Sequence, residues 1–77
     1  MAESVYKVIE LVGTSTESWE RAADHAVERA SKSLRDLRIA EVTQLDIALE
    51  HPEPGGRPLR VYRAKVKVSF KYEGEEL

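Results

Sequence analysis

The strongest pattern in the chain is a strict alternation over residues 59–72. Tyr62, Ala64, Val66, Val68, Phe70 and Tyr72 fall on one side, and Arg63, Lys65, Lys67, Ser69 and Lys71 on the other. Period two with one polar face predicts a half-buried strand. Residues 5–13, VYKVIELVG, are rich in β-branched and aromatic residues and predict another strand. Its adjacent pairs Val8–Ile9 and Leu11–Val12 point to cover on both faces over part of its length, and Gly13 is expected to end it. A further strand is predicted at about 40–50, AEVTQLDIALE. The next eight residues, HPEPGGRP, hold three prolines and two glycines and predict a turn or loop. The tail GEEL, 74–77, is expected to fray.

Between the first two strands the period changes. Trp19, Ala22, Ala23, Ala26, Val27, Ala30 and Leu34 recur at steps of three and four, which predicts an amphipathic helix over about 16–35. Its apolar stripe is mostly alanine, so the helix can lie close to what it covers. Glu17, Glu20, Arg21, Asp24, Glu28, Arg29 and Lys32 make the solvated face. Thr14, with Glu17 three residues on, has capping-box spacing, and Ser15 is an equally good cap. Glu17 and Glu20 suit the positive end of the helix dipole, and Lys32 and Arg35 the negative end.

The order strand, helix, strand, strand predicts an α+β fold. It is a β-α-β-β unit with a three-stranded antiparallel sheet and one long amphipathic helix packed on it, a single domain over 1–77. A third strand of ~40–45 Å outreaches a helix of ~30 Å, so one helix leaves apolar surface uncovered. A chain of 77 residues is small enough that only about 60% of its unfolded surface is buried on folding. Disulfides, metals or self-association usually compensate. The chain has no cysteine, and His25 and His51 are its only histidines, so disulfides are excluded and a structural zinc site is disfavoured. Self-association remains.

A formal charge of -2, from twelve basic and fourteen acidic residues, argues against a nucleic-acid partner. No apolar run approaches the ~20 residues that span a bilayer, and no secretory signal is visible at the start. The expectation is a cytoplasmic protein with no membrane association.

In sequence order, V-Y-K-V-I-E-L-V-G-T-S, an alanine-rich amphipathic helix, S-L-R-D-L-R-I-A-E-V and V-Y-R-A-K-V-K-V-S-F resemble the dodecin family over nearly the whole chain. The most specific parts are G-T-S followed by Trp19, and V-K-V-S-F near the end. The resemblance implies a hollow, roughly spherical homododecamer with helices outside and sheets lining the interior, binding a small ligand without turnover. In flavin-binding dodecins the segment after the helix typically reads L-D-W-F-E-V, its Trp stacking on the flavin. Here Ile39 stands at the Trp position and Ala40 at the Phe position. Arg63 follows Tyr62 where the family has a Gln that bonds the flavin edge. The resemblance therefore implies loss of the usual flavin mode and likeness to the calcium-dodecin subgroup, with calcium as ligand and flavin less favoured.

The candidate ligand-binding residues are Ile39, Glu41, Arg63 and Lys65, and the candidate metal ligands are Asp46 and Glu50. Calcium takes six to eight oxygens, more than one subunit offers, so copies around a symmetry axis would have to contribute. Asp46, Ala48 and Glu50 share a strand face with Gln44, and Glu53 lies nearby in sequence. The metal-free alternative pairs Asp46 or Glu50 with Arg63, Lys65 or Lys67 across the strands. The basic stripe Arg63, Lys65, Lys67 and Lys71 suits an anionic or nucleotide cofactor, or is a solvated face balanced by acids. His25 sits at the edge of the helix stripe, and Trp19 suits core or interface packing. No nucleophile is spaced with a base, which argues against an enzyme. A purely structural or interaction role is the remaining class.

Overall fold

The computed structural model describes residues 4–72. The elements are β1 (Tyr6–Ser15), α1 (Trp19–Ser33), β2 (Leu37–Glu50) and β3 (Leu59–Lys71). They build the expected β-α-β-β unit, a three-stranded antiparallel sheet of order β1-β3-β2 with one helix against it. β1 and β2 both run against β3, so they are parallel to each other. The helical crossover between them leaves a gap that β3 fills by hairpin return. The tail 74–77 lies outside the described residues.

The two ends of α1 differ from the pattern-based expectation, and local hydrogen bonding explains both. Gly13 does not end β1, which continues through Thr14 and Ser15. Ser15 Oγ accepts the Glu17 amide at 2.9 Å within a local turn. The cap is Ser18, whose extended backbone lets Oγ accept the Arg21 amide at 3.0 Å. At the other end the Leu34 amide donates to the Ala30 carbonyl at 2.9 Å. Asp36 then adopts a left-handed backbone, φ 58°, and turns the chain into β2 three residues before the predicted start. Asp tolerates this conformation better than most residues.

The helix packs on one sheet face through small side chains. Ala22, Ala26 and Ala30 are buried against Ala64, Val66 and Val68, with Ile9, Leu11, Ala23, Val27, Leu34 and Leu37 around them. Gly13 allows this approach, since a Cβ there would overlap the Ala22 carbonyl oxygen and stand 3.1 Å from the Ala26 methyl. Among the described residues, nothing larger than valine is buried. Fifteen helical residues reach ~22 Å, whereas the fourteen of β2 reach ~46 Å. The helix lies over β1 and β3, and the far half of the β2–β3 hairpin projects beyond it.

β2 carries two irregularities, between Leu37 and Ile39 and between Val42 and Gln44. Each inserts one residue, Arg38 and Thr43, and so exchanges the faces of the residues beyond it. Thr43 Oγ1 donates to the Lys65 carbonyl at 3.2 Å, which satisfies a backbone group at the second bulge.

Candidate functional site

The sheet face opposite the helix collects the predicted site residues. Residues directly paired across strands share a face, so the register defines its rows. Val8, Ser69 and Ile39 form one, and Glu10, Lys67 and Glu41 the next. Val12, Lys65 and Gln44 come third, then Thr14, Arg63 and Asp46. Glu50 pairs with Leu59 at the far end of the hairpin. Ile39, Glu41, Arg63, Lys65, Asp46 and Glu50 therefore all lie on this open face. Simple alternation would put Glu41 on the face away from Asp46; the bulge at Thr43 brings them together.

The charges are organised in pairs. Arg63 Nε and Nη2 donate to the two carboxylate oxygens of Asp46 at 2.7 and 2.8 Å. This planar two-point contact is the strong form of the interaction. The hydrogen bonds and charge of Arg63, aided by Lys65, lower the Asp46 pKa from its usual 3.8, and Asp46 raises that of Arg63. Lys67 stands between Glu10 and Glu41. Lys65 differs, because its direct neighbours are Val12 and Gln44, which carry no charge.

One chain does not enclose a ligand on this face. The depression between Val12, Gln44, Asp46, Arg63 and Lys65 holds about 20 Å³, roughly the volume needed for one water. Asp46 and Glu50 are four strand residues apart, ~13 Å along the backbone, and Arg63 engages both oxygens of Asp46. Among the described residues, no three His, Cys, Asp or Glu side chains gather closely enough to hold a metal ion.

On the helix side, Trp19 has a role that the spacing suggested only as packing. Its Nε1 donates to the Asp46 carbonyl at 2.9 Å, and its ring meets Tyr62 edge-on, centroids 5.3 Å apart. Asp46 thus touches β3 through its carboxylate and the helix through its carbonyl. His25 Nδ1 lies 3.0 Å from the Thr14 carbonyl, tying the helix to β1. The bond from Trp19 to Asp46 spans 27 residues, and no sequence spacing signals it.

The sequence and the fold both match known proteins. The dodecin family profile matches residues 5–73. The chain is 48% identical over 68 residues to the calcium dodecin of Mycobacterium tuberculosis, covering 88% of this chain and 89% of that one. It is 38% identical over 69 residues to the dodecin of Thermus thermophilus, covering 90% and 93%. The crystal structure of the M. tuberculosis protein, described as calcium-chelating with a novel calcium-binding site, superposes with a TM-score of 0.78 at 44% identity, covering 94% and 96%. Dodecin from Streptomyces coelicolor superposes with a TM-score of 0.80 at 35% identity, covering 97% and 100%. With the strand order, the alanine-packed helix and this degree of identity in agreement, the chain belongs to the dodecin family.

Proposed function

We propose that the chain is a non-catalytic, single-domain subunit of a hollow homododecamer that binds and stores a small ligand in the cytoplasm, calcium being the favoured one. The observation that carries the self-assembling part is the mismatch between core and surface. Among the described residues nothing buried exceeds valine, while Val8, Val12, Ile39, Val42, Leu45 and Leu49 are each 47–64% exposed. Val42, Leu45 and Leu49 lie together on the helix side of β2 and Val8, Val12 and Ile39 on the opposite sheet face, and exposed apolar patches of this kind mark interaction sites. The calcium part rests on the relative that bears the name calcium dodecin and on Ile39, an aliphatic residue where flavin stacking needs an aromatic face. Asp46 and Glu50 are the proposed carboxylate ligands. Their separation and the Arg63 contact mean that copies around a symmetry axis must complete the six to eight oxygens calcium takes.

The test has two steps. Light scattering and native mass spectrometry should give a twelvefold multiple of the 8.7 kDa chain; a monomer overturns the proposal. Calorimetric titration of chelator-treated protein with Ca²⁺ and Mg²⁺ should give heat for calcium, and its absence for both removes the cation version. A second reading places a flavin or an anionic nucleotide cofactor on the same face, against Ile39, Glu41, Arg63 and Lys65. It is favoured by one observation, that no carboxylate stands directly opposite Lys65. Quenching of riboflavin or flavin-mononucleotide fluorescence by the protein would select it.

A further inference from the structure

The outer edge of β1, where it meets α1, carries a basic groove. Leu11, Gly13 and Thr14 of the strand and His25, Ala26 and Arg29 of the helix line a space of about 230 Å³, room for a small ion and some of its water. No carboxylate lines it, in a chain with fourteen acidic residues. The hydrogen bonds along this edge follow from the register. The Tyr72 amide donates to the Val5 carbonyl at 2.8 Å, and in an antiparallel pair such bonds recur at every second residue. Counting on from Val5, Leu11 and Gly13 turn their backbone groups toward β3, and Val12 and Thr14 turn theirs to the open edge. His25 agrees with this phase, because its Nδ1 meets the Thr14 carbonyl at 3.0 Å. A carbonyl only accepts, so Nδ1 carries the hydrogen. In the neutral ring Nε2 is then an acceptor, and it has no partner among the described residues. The Thr14 N–H points outward on the same edge as that carbonyl. Arg29 lies one helical turn from His25, about 5–6 Å away between Cβ atoms, and forms no ion pair among the described residues.

We propose that this groove binds a small oxyanion that keeps a hydroxyl group, inorganic hydrogen phosphate being the ion that fits. Arg29 and the Thr14 N–H donate to its charged oxygens, and its hydroxyl donates to His25 Nε2. The bond to Thr14 holds the imidazole in the tautomer this requires, so the acceptor is set before the ion arrives. Leu11 and Ala26 limit the water around these contacts, which strengthens them. The same set of groups separates phosphate from sulfate. At mildly alkaline pH, where an imidazole is neutral, sulfate has no hydrogen to give and sets a charged oxygen against the Nε2 lone pair. The site does not include Ile39, Glu41, Arg63 or Lys65, so it is separate from the ligand face of the sheet.

The test is calorimetric titration of the full chain with inorganic phosphate and with sulfate, at about pH 8 and matched ionic strength. Phosphate should bind at one site per chain, and sulfate roughly tenfold more weakly, the worth of one hydrogen bond. Arg29→Ala and His25→Ala should each weaken phosphate binding at least roughly tenfold, with folding and mass checked by circular dichroism and light scattering. Lys32→Ala, which removes a positive charge elsewhere on the same helix, should titrate like the parent. A second measurement needs no substitution. In protein carrying isotope-labelled histidine, phosphate should shift the ring signals of His25 and leave those of His51, the other histidine, in place. No phosphate heat, equal binding of the two ions, or a His25 signal that does not move overturns the site. Phosphate heat that survives in Arg29→Ala and His25→Ala and disappears in Lys65→Gln puts the anion on the open sheet face; that result overturns this groove and leaves the anionic-cofactor reading standing.

Discussion

Gly13→Ala is the smallest change that tests how the helix is seated. The added methyl would overlap the Ala22 carbonyl oxygen, stand 3.0 Å from its carbonyl carbon and lie 3.1 Å from the Ala26 methyl. The first two are backbone atoms, so no rotamer change relieves them. The helix must retreat, loosening Ala22, Ala26 and Ala30 from Ala64, Val66 and Val68. Overpacking a fitted core costs about 1–3 kcal/mol, and a backbone clash belongs at the upper end. Gly13 does not have a positive φ, so restricting the unfolded chain returns about 0.4–1 kcal/mol. The net expectation is a loss of about 2 kcal/mol, or roughly 8–16 °C in Tm for a domain of this size. Gly56→Ala is the control, since its closest neighbour, the Glu53 carbonyl oxygen, is 3.4 Å from the new methyl. Both are melted by circular dichroism at one fixed subunit concentration, because the stability of an assembly depends on concentration. Emission of the lone tryptophan, Trp19, should also shift as its bond to Asp46 slackens. Equal melting temperatures for the two variants would refute the claim that helix-to-strand contact limits this core.

Three other outcomes are expected. Ile39→Trp combined with Arg63→Gln should raise riboflavin affinity above that of the unmodified chain, read as fluorescence quenching; an unchanged titration would argue against the positional correspondence. Asp36→Val should destabilise by about 1–2 kcal/mol because a β-branched residue resists the left-handed backbone, whereas Asp36→Gly should be near neutral in the same melts. The Asp46 pKa is lowered in the folded chain by Arg63, so its stabilising contribution is complete above the ordinary carboxylate value. It fades as pH falls from about 4 through the depressed value. A pH series of melting temperatures for Asp46→Asn should lose that acid-side slope, and an unchanged slope would count against the Asp46–Arg63 pair in solution.

The sequence alone determined the β-α-β-β order and the two faces of β3. β3 is the central, unbulged strand, so alternation maps directly onto helix side and open side. The alanine stripe likewise identified the buried helix positions, because small side chains at a helical period have one use in a close-packed layer. What required the tertiary structure were choices among equivalent local options. The spacing pointed to Thr14 or Ser15 as the helix cap, but β1 runs through both, and the cap is Ser18. Arg63, Lys65 and Lys67 were all eligible partners for Asp46, and strand register selected Arg63. The bulge at Thr43 moved Glu41 to the side of Asp46, which no alternation pattern reveals, since an inserted residue leaves composition unchanged while reversing every face beyond it. Local propensity is written residue by residue, but register and face are properties of a pair of strands, and only their pairing decides them.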